Sequence, residues 1–153
     1  RNKQVVAGVV HAPIIDQTYY AELGKGAYLE GKKISVSTVS SIERTTIAYL
    51  QGYETGNLAE GKMLSSLHKV DFKRVVTLWS PALDYCLLAQ GKIDAIINNQ
   101  CEIYDYAAGK LIAKEAGAKI TMFDGSDEVD DTNSKFVASN STEIHEKIIK
   151  LIS

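Results

Sequence analysis

The chemistry this sequence can offer centres on one carboxylate. Asp105 lies in Glu102-Ile103-Tyr104-Asp105-Tyr106-Ala107-Ala108-Gly109-Lys110, a run that continues through Leu111, Ile112, Glu115 and Ala116 to Gly117. Ala107, Ala108, Leu111, Ile112 and Ala116 recur at helical spacing, and Gly117 is a natural stop. The pattern predicts a loop that ends at Asp105 and a helix that begins there. Two roles for Asp105 follow. As an N-cap, its carboxylate accepts from the orphan N–H groups of the first turn. As a metal ligand, it holds a hard cation such as Mg2+, which takes one or two carboxylates together with water and substrate phosphate. The small run Ala107-Ala108-Gly109 lets this helix approach a neighbour closely, at some cost in propensity from Gly109.

Other reactive side chains form no comparable constellation. Cys86 and Cys101 are the only cysteines; Cys86 falls on an apolar helical face and Cys101 in the loop before Asp105. Two unclustered thiols argue against a disulfide framework or a zinc site and for a reducing, cytoplasmic setting. His11, His68 and His145 have no ligand spacing and read as surface or packing residues. The acidic cluster Asp124, Asp127, Glu128, Asp130 and Asp131 lacks the EF-hand order of donors. With Gly125, Ser126 and Asn133 interleaved, it reads as a solvated turn. Gly24-x-Gly26 lacks the third glycine of a dinucleotide fingerprint, because Leu29 stands there, and no helix follows. There is no G-x-S-x-G elbow, P-loop or H-E-x-x-H.

The elements that must position Asp105 come in two blocks. Residues 1–44 read as an antiparallel meander: a strand over Gln4–Val10, a turn at Pro13 and Asp16-Gln17, a return over Thr18–Glu22, then Ala27–Leu29 and a tight Glu30-Gly31 hairpin into Lys32–Val36. Residues 45–153 alternate strands with helices. Strands are predicted over Thr46–Gln51, Phe72–Leu78, Asp94–Ile97, Lys119–Phe123 and Phe136–Ala138. Helices are predicted from Asn57 (Leu58, Met63, Leu64, Leu67), from Ser80-Pro81 (Leu83, Cys86, Leu87), from Asp105, and from a cap at Ser141 or Thr142 to Ile152. The fold class is α/β, a meander followed by an alternating α/β layer with much parallel pairing.

Composition narrows the partners. The 153 residues can bury one domain's core, with 45% apolar and 24% charged residues. A formal charge of −2 and no basic stripe give no footing for nucleic acid or an anionic membrane. No apolar run approaches the roughly 18 residues that cross a bilayer. The chain starts at Arg1 and runs straight into strand-like sequence, so it reads as a piece of a longer polypeptide.

Tyr104–Gly109 resembles the W-D-x-A-A-G signature of the inositol monophosphatase family of Mg2+-dependent, lithium-sensitive phosphatases. Gly8-Val9-Val10-His11-Ala12-Pro13 and the run Ala21–Lys33 resemble the family's G-V-V-x-x-P…A-x-x-G-x-G-A-x-x-N-G-K meander. Ser80-Pro81-Ala82-Leu83-Asp84, then Ala89 and Gly91, resemble G-S-A-A-L-D…A-x-G; Glu115-Ala116-Gly117 and Phe123-Asp124-Gly125 resemble E-A-G-G…D-x-x-G. The matches keep family order over nearly the whole chain.

The resemblance implies the C-terminal portion of a layered αβαβα sugar-phosphatase fold, hydrolysis of a small phosphorylated metabolite with Mg2+, and a homodimer. By residue it implies metal ligation by Asp105 and a substrate pocket near Ser80, Pro81, Ala82 and Asn98. The family's other metal motifs, an acidic pair and D-P-x-D-G-T, are not among these residues, so the chain alone is expected to be inactive. Three positions depart from the pattern. Trp79 stands where the family has glycine, Asn98 where it has an acidic contact to a sugar hydroxyl, and Tyr104 where it has tryptophan. Trp79 reads either as a side chain crowding the pocket or as a core residue at a strand end. Sugar bisphosphates, 3′-phosphorylated nucleotides and a non-catalytic binding role remain alternatives to inositol monophosphate.

Overall fold

A computed structural model describes residues 1–140 and 142–152. The capping side chains expected at Ser141 or Thr142 lie outside the described residues. The meander forms as β1 (Ala7–Ala12), β2 (Gln17–Glu22), β3 (Ala27–Leu29) and β4 (Lys32–Ile34), an antiparallel sheet in sequence order. In β2, Tyr19 and Ala21 are buried while Tyr20 and Glu22 face out, so period-two alternation sets one face toward a core. A connector with a short 3-10 turn at Ile42–Arg44 leads to the second sheet.

That sheet has the order β6-β5-β7-β9-β8, with β5 (Thr46–Gln51), β6 (Arg74–Val76), β7 (Ala95–Asn99), β8 (Lys119–Met122) and β9 (Lys135–Ser139). Strands β6, β5 and β7 are parallel, but β9 runs antiparallel to both β7 and β8, so the sheet is mixed. The parallel pairing expected from the alternation holds for β6, β5 and β7, and β9 reverses because no helix separates it from β8, so without a crossover the returning strand must run back. Strand β6 is also shorter than the predicted Phe72–Leu78.

Four helices complete the layers: α1 (Asn57–His68), α2 (Pro81–Ala89), α3 (Ile103–Glu115) and α4 (Thr142–Ile152). On one side of the mixed sheet, Tyr85, Leu88, Tyr106 and Ala113 of α2 and α3 pack on Ala48, Leu50, Ile96 and Phe136. On the other side, Leu67, Ile144 and Ile148 of α1 and α4 pack on Ile47, Tyr49, Ile97 and Val137. The meander covers the far side of α2 and α3 through Tyr19, Ala21 and Ala27. The order is therefore sheet, helices, sheet, helices. Because α2 and α3 are sandwiched, they bury more than one stripe. Asp84, Tyr85, Cys86, Leu88 and Ala89 are all buried in α2, a wider face than Leu83, Cys86 and Leu87 alone.

Helix α3 is the hub, and its small residues explain why. A Cβ on Gly109 would lie 2.7 Å from the Tyr85 Cβ and 3.0 Å from the Ala82 carbonyl oxygen, so α2 crosses where only glycine leaves room. At the other end of α3, the Glu115 carboxylate accepts from the N–H groups of Gly24 and Gly26, both at 2.8 Å, fastening the β2–β3 turn to the helix. Among the described residues no helix is long and apolar enough to cross a membrane.

One buried group gives the fold a pH response. His145 of α4 is buried between the hydroxyls of Thr121 (2.6 Å) and Ser139 (2.9 Å). Burial, helped by Lys119, pushes its imidazole down to about 4. The unfolded chain takes up this proton near 6.5 and the folded chain near 4, so this contribution is intact above pH 6.5 and is lost as pH falls through 4. The loss is on the order of 3 kcal/mol. In urea unfolding at stepped pH, wild type is expected to lose this amount relative to His145→Gln. Parallel stability curves for the two proteins would refute the assignment.

Candidate active site at the mouth of helix α3

The parallel strands β6, β5 and β7 end at one edge of the mixed sheet, and α2 and α3 begin there. In open α/β sheets this carboxyl edge is where ligands bind. The edge is tied by backbone contacts. Gly52, just after β5, donates its N–H to the Asn99 carbonyl at 2.9 Å. Thr55 returns its hydroxyl to the same carbonyl at 3.3 Å and to the Gln100 side chain at 3.1 Å. Gln100, with φ 65°, turns the chain out of β7, and its N–H reaches the Ser134 carbonyl at 2.7 Å. Three residues later, at Ile103, α3 begins.

Asp105 is not the N-cap. Glu102 holds that position, without a side-chain cap bond, and Asp105 is the third helical residue, its N–H bonded to the Glu102 carbonyl at 2.9 Å. The turn at Gln100 brings the chain into helical geometry earlier than the apolar pattern indicates. In the first turn a carboxylate is favoured by the positive end of the helix dipole. Asp105 is half-buried, and no hydrogen bond among the described residues ends on its carboxylate. It precedes Gly109 by one turn on the same helical face, the face that meets α2 at Ala82.

The other expected residues divide. Ser80 is exposed at the N-cap of α2 without a side-chain cap bond, and Pro81 occupies the first helical position. Pro81 borders a cavity of about 440 Å³ that also touches Tyr49, Gln51, Tyr53, Glu60 and Trp79. Ala82 turns toward α3, and its carbonyl accepts from the Cys86 thiol at 3.3 Å. Asn98 is fully buried. It accepts from the Tyr85 hydroxyl at 2.9 Å and donates to the Ser134 carbonyl at 2.8 Å, so both ends of its amide are spent inside the protein. Trp79 is 85% exposed with φ 56°, which removes the core reading of this residue.

Asp84 had no place among the candidates. It is 1% exposed, one of its oxygens has no partner among the described residues, and burial pushes its carboxyl up to about 7 against a backbone hydrogen bond from Ser80. The signal in the sequence was an acid inside the apolar run of Leu83 to Ala89. Both thiols are pushed up to about 12, chiefly by burial, so Cys86 and Cys101 are packing groups rather than nucleophiles.

A model of the inositol monophosphatase family matches residues 1–153. A Thermotoga maritima fructose-1,6-bisphosphatase/inositol-1-monophosphatase is 34% identical over 154 residues, covering 99% of this chain and 57% of that protein. A Methanococcus maripaludis bifunctional NADP phosphatase/NAD kinase is 35% identical, covering 96% of this chain and 27% of that protein. The solved Thermotoga maritima IMPase superposes with a TM-score of 0.86 at 33% identity, covering 99% of this chain and 57% of that one. The chain thus spans a little over half the length of the Thermotoga relative. With the family model running its whole length and the layered fold shared with that solved structure, the chain belongs to the inositol monophosphatase family.

Proposed function

We propose that this chain forms the C-terminal part of a Mg2+-dependent phosphatase that hydrolyses a small phosphomonoester. The observation that carries the reading is Asp105, a carboxylate at the carboxyl edge of the sheet on which no hydrogen bond from the described residues is spent, in a chain matched throughout by the family model. Asp105 supplies one hard oxygen donor, and Mg2+ accepts such a donor alongside waters and substrate phosphate. Among the described residues, no three His, Cys, Asp or Glu side chains converge on one point. Asp105 therefore fits one position around the ion and does not complete its shell. The remaining donors belong, in this reading, to segments outside these 153 residues.

When bound, Mg2+ would supply charge neutralisation at the phosphoryl oxygens and leaving group. The chain's own residues orient the substrate. The exposed Ser80 hydroxyl donates to a phosphate or hydroxyl oxygen, the first turn of α2 points its dipole there, and Pro81 forms the adjoining wall. We assign a cytoplasmic, homodimeric form to the protein on family grounds. The NADP phosphatase relative supports a second reading, in which the phosphomonoester is a nucleotide.

Phosphate release from inositol 1-phosphate and fructose 1,6-bisphosphate, with and without Mg2+, tests the assignment. The polypeptide that carries this chain together with its upstream metal motifs is expected to turn over only with Mg2+, and Asp105→Asn to slow it about 100-fold, the scale seen when a metal site loses one supporting group. The 153-residue chain alone is expected to release no phosphate. Turnover that ignores both Mg2+ and Asp105→Asn would overturn the reading.

A further inference from the structure

We infer that the cavity beside α2 receives the base of a nucleoside phosphate, and that Trp79 and Tyr53 are its stacking residues. The inference rests on the phosphatase reading for the phosphate end of the ligand, but the base site stands on its own geometry. Trp79 and Tyr53 border the same cavity of about 440 Å³ and are 85% and 83% exposed. That volume lies in the range of small-molecule sites. Two large aromatic side chains held in water at the rim of one concavity leave their faces unpaired, and a flat heteroaromatic ring pairs with either face. Trp79 also adopts φ 56°, left-handed backbone that favours glycine, so the indole is kept there against the local preference.

The polar groups of the cavity select among ligands. Among the residues that line it there is no cation, and Glu60 contributes a negative charge. The second phosphate of a sugar bisphosphate would enter that space unpaired and beside a carboxylate. A neutral base would not. Tyr49 and Gln51 are already fixed to one another, the Tyr49 hydroxyl donating to Gln51 at 2.9 Å, and Gln51 donates onward to the Thr55 carbonyl at 2.9 Å. Glu60 is left with acceptor capacity toward the cavity, which suits an exocyclic amine on the base. Pro81, the first residue of α2, borders the cavity beside Trp79, so a base stacked on Trp79 has the first turn of α2 within reach of its phosphorylated ribose.

Trp79 is the only tryptophan among these 153 residues, so tryptophan emission of the 153-residue chain reports on this cavity alone. Titration with adenosine, adenosine 2′-monophosphate and adenosine 3′-monophosphate is expected to quench it saturably, and fructose 1,6-bisphosphate and inorganic phosphate to leave it unchanged. Calorimetry with the same probes is expected to show about tenfold weaker binding for Tyr53→Ala and for Trp79→Gly, the scale of one stacked base. Both side chains are exposed, so neither variant removes core packing. Absence of saturable quenching by the adenosine probes, equal quenching by fructose 1,6-bisphosphate, or unchanged affinity in both variants would overturn the base site. Phosphate release is scored separately. Adenosine binding with no turnover by the polypeptide that also carries the upstream metal motifs keeps the base site and removes the phosphatase reading, whereas turnover of fructose 1,6-bisphosphate by that polypeptide without adenosine binding does the reverse.

Discussion

Gly52→Ala is expected to destabilise the protein by more than about 3 kcal/mol, the upper end of ordinary overpacking, and to leave little folded material at room temperature. A Cβ at this position would stand 1.6 Å from the Gln100 carbonyl oxygen and 2.3 Å from its carbon. Both are backbone atoms, so no side chain can rotate away. The one relief is to separate the turn after β5 from the segment joining β7 to α3, which breaks the Gly52–Asn99 and Thr55–Asn99 bonds together. That segment also sets where Asp105 points. Gly61→Ala is the control. It lies in α1 with nothing within 4 Å of its Cβ, and is expected to stabilise by up to about 1 kcal/mol through helix propensity. Thermal and urea unfolding followed by circular dichroism compares the two. A Gly52→Ala protein melting with the wild type would mean that the two loops are not in contact.

What could be read from the sequence was what local chemistry dictates. The Glu30-Gly31 turn forms with φ 47° and 76°, and the strands on either side of it pair as the alternation predicts. The register of α3 follows its apolar residues, and Gly117 ends it with φ 99°. What escaped depends on partners distant in the chain. Asp105 shifted from cap to first turn because Gln100, held by Ser134, bends the chain early. Leu58 carries the apolar pattern of α1 yet stays 74% exposed. Asn98, expected near substrate by resemblance, has its amide held between the Tyr85 hydroxyl and the Ser134 carbonyl, partners that no local pattern shows. Within the acidic run, Asp124 and Asp130 do form the expected side-chain turns onto Ser126 and Thr132. Glu128 does not join them. It reaches the buried Lys110.

The consequence for stability is the second large effect. Lys110 of α3 is 2% exposed, and its ammonium meets the Glu128 carboxylate at 2.7 Å while lying 4.2 Å from the centre of the Phe136 ring. Burial raises the Glu128 carboxyl and Lys110 pulls it back, so the pair is balanced rather than strongly favourable. Removing one member is another matter. Glu128→Ala strands an ammonium in the core beside the rings of Phe136 and Tyr106, and is expected to cost about 3–5 kcal/mol. Lys110→Met should cost less, because the carboxyl of Glu128, already raised, can take up a proton and lies nearer the surface than Lys110. The double variant Lys110→Met/Glu128→Leu should recover most of the loss, since a buried pair exchanged for apolar groups is often neutral. Urea unfolding of the four proteins closes the cycle, and a Glu128→Ala protein within about 1 kcal/mol of wild type, the range of an exposed pair, would show that the contact is not desolvated. The effect should also reach the site. The loop that carries Glu128 ends at Ser134, whose carbonyl holds both the Gln100 N–H and the Asn98 amide, so loosening the ion pair loosens the turn from which Asp105 is aimed.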